Sequence, residues 1–207
     1  MLQIFFQWVE SNWVELLGAI LGLLYILLSI RQNKWCWPIG LLTSVLYIYV
    51  FLVTKFYADM LLQVYYVGAS IFGWYNWTQG GKHGRQVLPV RWVKLREWAW
   101  IAVVTSLLFI IMAYVLKYHT DSPIPYWDAF TTAGSFVATW MLAKKMIENW
   151  LFWIVVDAVS LGLYIYKGLY ATVILFAVYT LLAIVGYIQW RNELKNGATQ
   201  KSQEAWA

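Results

Sequence analysis

Long apolar runs separated by short polar breaks make up most of this chain. Bounded by charged or turn-forming residues, the runs cover about residues 13–30, 35–53, 58–77, 98–116, 126–143, 149–166 and 169–190. Each run has close to the ~20 residues that an α helix needs to cross the hydrocarbon core of a bilayer. The pattern therefore predicts an all-α polytopic membrane protein with seven transmembrane helices.

The segments between and outside these runs complete the predicted organisation. Residues 1–12 are apolar and aromatic but too short to cross a bilayer, so we expect an interfacial N-terminal segment, not a cleavable signal peptide. Residues 78–97 contain three glycines and a proline and are predicted to form the longest loop. Residues 191–207 are predicted to form a polar tail.

Composition supports the membrane class and narrows the function. Hydrophobic residues make up 62% of the chain and charged residues 12%, against about a quarter charged in soluble domains. One cysteine and two histidines exclude an internal disulfide framework and a Cys/His metal cluster. The chain has no nucleophile and histidine in a known catalytic pattern and no phosphate-binding loop. We therefore expect neither an enzyme nor a cofactor.

The basic residues are unevenly divided between the two sides of the predicted membrane. Twelve of the fifteen fall on one side: Arg31, Lys34, Lys82, Arg85, Arg91, Lys94, Arg96, Lys144, Lys145, Arg191, Lys195 and Lys201. The other side has Lys55, Lys117 and Lys167. Cytoplasmic loops carry the excess of lysine and arginine, so we expect the N-terminus outside and the C-terminus inside. The net charge of +5 then reflects topology and predicts no nucleic-acid partner.

The chain also resembles itself. A shift of 113 aligns Tyr66 with Tyr179, Gly73 with Gly186 and Trp77 with Trp190, and shifts of 114 and 116 align Arg31 with Lys145 and Trp37 with Trp153. Two three-helix repeats, 13–77 and 126–190, are therefore predicted, joined by a linker region at 78–125 that contains span four. This is a 3+1+3 bundle of parallel repeats, a plan found in transporters. The alternative is chance matching among abundant aromatic residues.

Polar side chains form a stripe on span six. Trp150, Trp153, Asp157, Ser160 and Tyr164 follow one another at spacings of three or four residues, which places them on one helical face. Indoles attract flat cationic rings, and a carboxylate supplies a counter-charge or accepts hydroxyl hydrogen bonds. The stripe predicts a site for a small solute. The alternative is that the tryptophans lie at the membrane interface and that Asp157 bonds to a neighbouring helix.

Two other spans carry candidate contacts. On span three, Gln63, Tyr66, Ser70 and Trp74 also repeat at spacings of three or four. On span five, Asp128 begins a polar stripe. Polar groups in a membrane are costly and often functional, but each of these side chains could instead bond helix to helix.

Several of these residues lie in segments that resemble a known family. The run Trp150-Leu151-Phe152-Trp153-Ile154-Val155-Val156-Asp157 is similar to the WxxWxxx(N/D) signature of the PnuC family of vitamin transporters. Two further segments resemble the third-helix region of that family, Leu61-Leu62-Gln63-Val64 and Phe72-Gly73-Trp74-Tyr75-Asn76-Trp77, and Trp127-Asp128 resembles its start of the fifth span. The resemblance covers about residues 13–190.

The resemblance implies a function that the residues alone do not. It implies uptake of nicotinamide riboside across the bacterial inner membrane by facilitated diffusion, with phosphorylation by a cytoplasmic kinase trapping the product. It also implies a homotrimer and a remote relation to the SWEET sugar transporters. Asp157 stands where many riboside transporters are expected to have asparagine, so a thiamine transporter is the alternative. A membrane sensor or scaffold that does not transport is the alternative from another class.

Overall fold

The computed structural model describes residues 2–53, 57–80, 88–166, 168 and 170–204. These residues are almost entirely helical, and no strand longer than a single bridge occurs among them. They form seven helices: α1 (Leu2–Ile30), α2 (Cys36–Val53), α3 (Tyr57–Gln79), α4 (Leu95–His119), α5 (Pro125–Ala143), α6 (Asn149–Tyr166) and α7 (Tyr170–Glu204).

The helices coincide with the predicted spans at most of their ends. α6 has the predicted bounds, and the ends of α2, α3 and α5 lie close to prediction. The two chain ends differ more. α1 begins at Leu2, so residues 2–12 continue the first span as helix, and α7 runs through the predicted polar tail to Glu204. Residues 191–204 contain many good helix formers, which extend a helix without any apolar run.

Helix length and composition support a multi-pass membrane protein. Among the described residues, three helical segments are long and apolar enough to cross a bilayer: Leu95–His119, Asn149–Tyr166 and Thr172–Asn196. Two shorter apolar helices are Leu16–Ile30 and Cys36–Val50. Large apolar side chains such as Trp100, Leu107 and Ile110 are exposed along α4, as expected of a surface that meets lipid. Of the charges used to predict orientation, Lys55, Lys82, Arg85 and Lys167 lie outside the described residues.

The chain divides into two compact units, Met1–Trp74 and Tyr75–Ala207. In the first unit, α1 packs against α2. In the second, α5 packs against α4 and α6, and α6 packs against α7. The buried apolar cluster of this unit comprises Val93, Ile101, Val137, Met141 and Met146. Its members lie in the segment before α4, on α4, on α5 and in the turn that follows α5.

A short strap, residues 91–94, is bonded to the turn between α5 and α6. The Arg91 amide donates to the Lys145 carbonyl at 3.0 Å, and the Ile147 amide donates to the Arg91 carbonyl at 3.0 Å. The buried Glu148 carboxylate accepts the Val93 amide at 2.9 and 3.0 Å. The strap therefore fixes the approach to α4 against the start of α6.

The turn between the first two helices of each predicted repeat has the same unusual backbone. Gln32 and Lys145, which a shift of 113 superposes, have φ values of 52° and 50°. At the same shift, Trp37 packs over Gly73 of α3 as Trp150 packs over Gly186 of α7.

The geometry favours a different alignment of the predicted repeat at these positions from the one that residue identity favours. The matching φ values relate Lys145 to Gln32, where identity aligned it with Arg31. The matching glycine contacts relate Trp37 to Trp150, where identity aligned it with Trp153. A single shift of 113 fits the geometry of both.

Candidate substrate-binding site

The centre of α6 carries two buried polar side chains. Asp157 is 5% exposed and Ser160 is 7% exposed, and they lie one turn apart on the helix. Within the described residues, neither side chain makes a hydrogen bond. Burying a carboxylate without a partner is expensive in a protein interior and more so in a membrane. Such groups belong where a polar solute or water reaches them, which makes this part of α6 the best candidate site in the second unit.

Trp153 lies one turn before Asp157 and is only partly buried. Its ring makes no aromatic contact and its indole makes no hydrogen bond within the described part of the chain. An indole face next to a carboxylate offers stacking and charge compensation together. Trp153, Asp157 and Ser160 can therefore receive a flat, cationic or hydroxylated solute.

Trp150 differs from the rest of the predicted stripe. It is 3% exposed, and its ring packs perpendicular to Trp190 with centroids 5.5 Å apart. Gly186 of α7 lies directly against the indole. The ring is thus enclosed by α7, whereas Trp153 is not. Tyr164, at the other end of the stripe, has its ring 4.9 Å from that of Phe176 on α7.

The candidates on α3 belong to the first unit. Ser70 is buried and its hydroxyl lies beside Gly40 of α2. The Trp74 ring is 5.7 Å from that of Trp35.

The remaining two α3 candidates, Gln63 and Tyr66, are partly buried. The Tyr66 ring is 5.5 Å from that of Tyr65. The structure therefore places all four α3 candidates within one helix, with Ser70 alone fully buried among them.

Asp128 has a local partner. The Ser122 hydroxyl donates to its carboxylate at 2.5 Å, and Asp128 itself lies in the first turn of α5. A carboxylate at a helix N-terminus is favoured by the helix dipole. This contact accounts for Asp128 without a solute. The described residues contain no group of three or more histidine, cysteine, aspartate or glutamate side chains that could hold a metal ion.

Two polar features of the second unit were not predicted. Lys145, counted on the cytoplasmic side of the predicted membrane, is 1% exposed, and its ammonium group lies 4.6 Å from the centre of the Trp77 ring. Glu148 is buried against the strap. Charge counting assigns such residues to a side of the membrane and carries no information about their burial.

Ser44 is a buried polar residue of the first unit that prediction left outside the site. A shift of 113 superposes it on Asp157. The internal repeat, aligned at that shift throughout, is the signal that would have identified it.

Comparisons with known proteins agree over nearly the whole chain. A model of the family described as nicotinamide mononucleotide transporter matches residues 12–192. The nicotinamide riboside transporter PnuC of Escherichia coli (strain K12) is 27% identical over an alignment of 210 positions, which covers 90% of this chain and 88% of that protein. The riboflavin/roseoflavin transporter RibM of Streptomyces davaonensis is 27% identical over 184 residues, covering 86% of this chain and 84% of that protein.

A solved structure shows the same fold. The crystal structure of the vitamin B3 transporter PnuC superposes with a TM-score of 0.72 at 21% sequence identity, covering 94% of this chain and 87% of that one.

Proposed function

We propose that this chain carries nicotinamide riboside across the bacterial cytoplasmic membrane. The chain belongs to the nicotinamide mononucleotide transporter family and is similar to PnuC. The observation that carries this proposal is the buried Asp157 carboxylate, which has no hydrogen-bond partner among the described residues and lies one turn from Trp153. Relatives named as nicotinamide riboside transporters support the choice of solute.

The chemistry of nicotinamide riboside suits this part of α6. Its pyridinium ring is flat and cationic, and its ribose carries hydroxyl groups. Trp153 stacks on the ring, Asp157 balances its charge or accepts ribose hydroxyls, and Ser160 supplies a further hydroxyl. The remaining proposed contact on α6 is Tyr164, and Gln63, Tyr66, Ser70 and Trp74 stay candidate contacts on α3.

The transport mechanism we propose is facilitated diffusion. The carboxylates on the predicted spans are isolated from one another in the sequence, so no chain of ionisable groups suggests a proton relay. Net uptake then depends on phosphorylation of the product by a cytoplasmic kinase. Catalysis and ATP use by this chain form no part of the proposal.

The proposed architecture is a seven-span, 3+1+3 bundle of the SWEET type with its N-terminus outside and its C-terminus inside. The recurrence of the turn geometry at Gln32 and Lys145, at a shift of 113, supports two repeats. The excess of lysine and arginine on one side of the predicted membrane supports the orientation. A homotrimer is proposed from the family resemblance.

Two other vitamins are candidate solutes. Thiamine also carries a flat cationic ring, and the acidic Asp157 suits it where a riboside transporter would be expected to have asparagine. Riboflavin is suggested by the relative named RibM. Riboflavin is uncharged, so it would use Trp153 for stacking and Asp157 only as a hydrogen-bond acceptor.

Counterflow in sealed proteoliposomes tests both the solute and the mechanism. Vesicles loaded with unlabelled nicotinamide riboside should take up the labelled compound without ATP or any ion gradient, and unlabelled thiamine or riboflavin outside should compete weakly. Empty vesicles should equilibrate and not concentrate the label. Concentration that an uncoupler abolishes would contradict facilitated diffusion, and counterflow with thiamine or riboflavin alone would assign a different vitamin.

A further inference from the structure

Two tryptophans are buried in equivalent sites, one in each compact unit. Each site is formed by a glycine on the following helix and is termed a seat. Trp150 is the second residue of α6 and packs over Gly186 of α7, and Trp37 is the second residue of α2 and packs over Gly73 of α3. The glycine follows the tryptophan at the same interval in both pairs. A β carbon on Gly186 would lie 2.7 Å from the Trp150 ring, and one on Gly73 would overlap the Trp37 ring as well. Both seats therefore require glycine, because packed interiors leave no room for such an overlap.

The seat in the second unit is closed by further aromatic rings. Trp190 packs perpendicular to Trp150, and Trp77 lies 6.3 Å from Trp190. The Trp77 indole donates to the Leu142 carbonyl at 3.2 Å, which connects this group to the end of α5. Trp150 is thus enclosed by the elements that surround the start of α6, and no open face of its ring remains for a solute.

Shape, not hydrogen bonding, holds Trp150 in place. Its Nε1 is buried, and no group among the described residues accepts a hydrogen bond from it. A buried donor without an acceptor is destabilising. The packing of the ring against Gly186 and Trp190 must outweigh that loss, so the ring stabilises the contact between α6 and α7.

We propose that Trp150 and Gly186 are positioning residues: the seat fixes the start of α6 against α7 and so holds Asp157, about two turns later, in place for the solute. The part of this inference that concerns solute binding rests on the proposed function. The seat of Trp37 on Gly73 fixes α2 against α3 in the same way. Trp150 then acts through α6 and not by stacking on the solute.

A double-mutant cycle tests the seat. Gly186→Ala should weaken nicotinamide riboside binding by about tenfold or more, a change that isothermal calorimetry resolves. The same substitution in the Trp150→Ala background should cause no further loss, since the emptied seat accepts the added methyl group. Trp150→Phe should bind within about threefold of the parent, because a ring still fills the seat and Nε1 has no partner to lose. The matched control is Gly162→Ala on α6, where an added β carbon meets nothing within 4 Å.

Additive losses of affinity in the cycle would overturn the proposal and assign Trp150 to direct solute contact. The same conclusion would follow if Trp150→Phe bound the solute as weakly as Trp150→Ala while Gly186→Ala bound it like the parent. If Gly186→Ala is not monodisperse, the double variant Gly186→Ala/Trp150→Phe replaces it, because the smaller ring leaves space for the methyl group.

A second measurement needs no solute. The rate at which a maleimide labels Ser160→Cys reports the position of α6, and the buried native Cys36 is subtracted as background. Gly186→Ala should change this rate at least severalfold, and Gly162→Ala should not. An unchanged labelling rate in Gly186→Ala would overturn the positioning role of Trp150 and Gly186, whether or not the parent protein binds a vitamin. A parent protein that binds none of the vitamins would separately reject the proposed function.

Discussion

Gln32 and Lys145 adopt the same left-handed backbone conformation at positions that a shift of 113 superposes. Each residue lies in the connection between the first and second helices of a predicted repeat. Non-glycine residues seldom occupy this region, since the β carbon crowds the following carbonyl. The shared conformation is therefore a stronger sign of a structural repeat than the matching of abundant aromatic residues.

This conformation predicts an unusual order of stability at Gln32. Gln32→Gly and Gln32→Ala remove the same side-chain contacts beyond the β carbon, but only alanine keeps the cost of the left-handed conformation. The glycine variant should be more stable than the alanine variant by about 1 kcal/mol, within the roughly 1–2 kcal/mol that this conformation costs. Thermal unfolding of the purified variants measures the difference. At the neighbouring Arg31 the order should reverse, and the same order at both positions would show that φ is not the cause.

Helix positions could be predicted because membrane spans have a strong sequence signal. The apolar run from Asn149 to Tyr166 is bounded by polar residues and predicted α6 to the residue. The continuation of α7 to Glu204 has no such signal. Helix propensity acts over a polar segment without changing its hydropathy, so a search for apolar runs stops at Trp190.

The strap gives a second prediction, on Glu148. Glu148→Ala removes the acceptor of the buried Val93 amide and should destabilise the protein by about 1–3 kcal/mol, the cost of a buried group left unpaired. Glu148→Gln keeps a carbonyl acceptor and should lose less. Thermal unfolding and hydrogen exchange of the Val93 amide measure both effects.

The control for the strap is Glu97→Ala. It removes the partly exposed ion pair with Arg91, in which nitrogen and oxygen are 2.6 Å apart, and the acceptor of the Lys94 amide. It should cost about 1–2 kcal/mol and leave the Val93 amide protected from exchange. If the Gln and Ala variants of Glu148 unfold alike and the Val93 amide stays protected in both, the carboxylate does not hold the strap.

The depth of charged residues could not be predicted from the sequence. The count of lysine and arginine assigns Lys145 to a side of the membrane but says nothing about burial. Lys145 is buried with its ammonium group over the ring of Trp77, which lies far earlier in the chain. Similarly, periodicity placed Trp150 on the same stripe as Trp153, whereas Gly186 on another helix decides that only Trp150 is enclosed.

The third prediction concerns topology. A membrane-impermeant maleimide applied to intact cells should label Asp121→Cys and should label Asn192→Cys only after permeabilisation; both positions are exposed. Three predicted spans separate the two positions, so they should lie on opposite sides. The parent protein, with its buried Cys36, is the control. Reversed labelling at both positions would overturn the orientation, and equal accessibility from outside would contradict the span count.

The fourth prediction concerns Asp157. If its carboxylate balances the charge of a bound pyridinium or thiazolium, Asp157→Ala should remove about 1–3 kcal/mol of binding free energy and weaken affinity by about one to two decades. Folding should survive, since the side chain makes no hydrogen bond within the described residues. Asp157→Asn separates the two roles, because it keeps an acceptor and deletes the charge.

Calorimetry on monodisperse protein, with nicotinamide riboside, thiamine and riboflavin side by side, measures the effect of these substitutions. Retained affinity in Asp157→Asn would assign the residue to hydroxyl recognition, and lost affinity for the cationic vitamins would assign it to charge balance. Trp153→Ala should weaken binding too, through lost stacking, and Lys94→Ala, an exposed position on the strap, is the control that should bind like the parent. If Asp157→Ala and Trp153→Ala both bind like the parent, the solute does not bind at this part of α6, because these two side chains are its principal proposed contacts there.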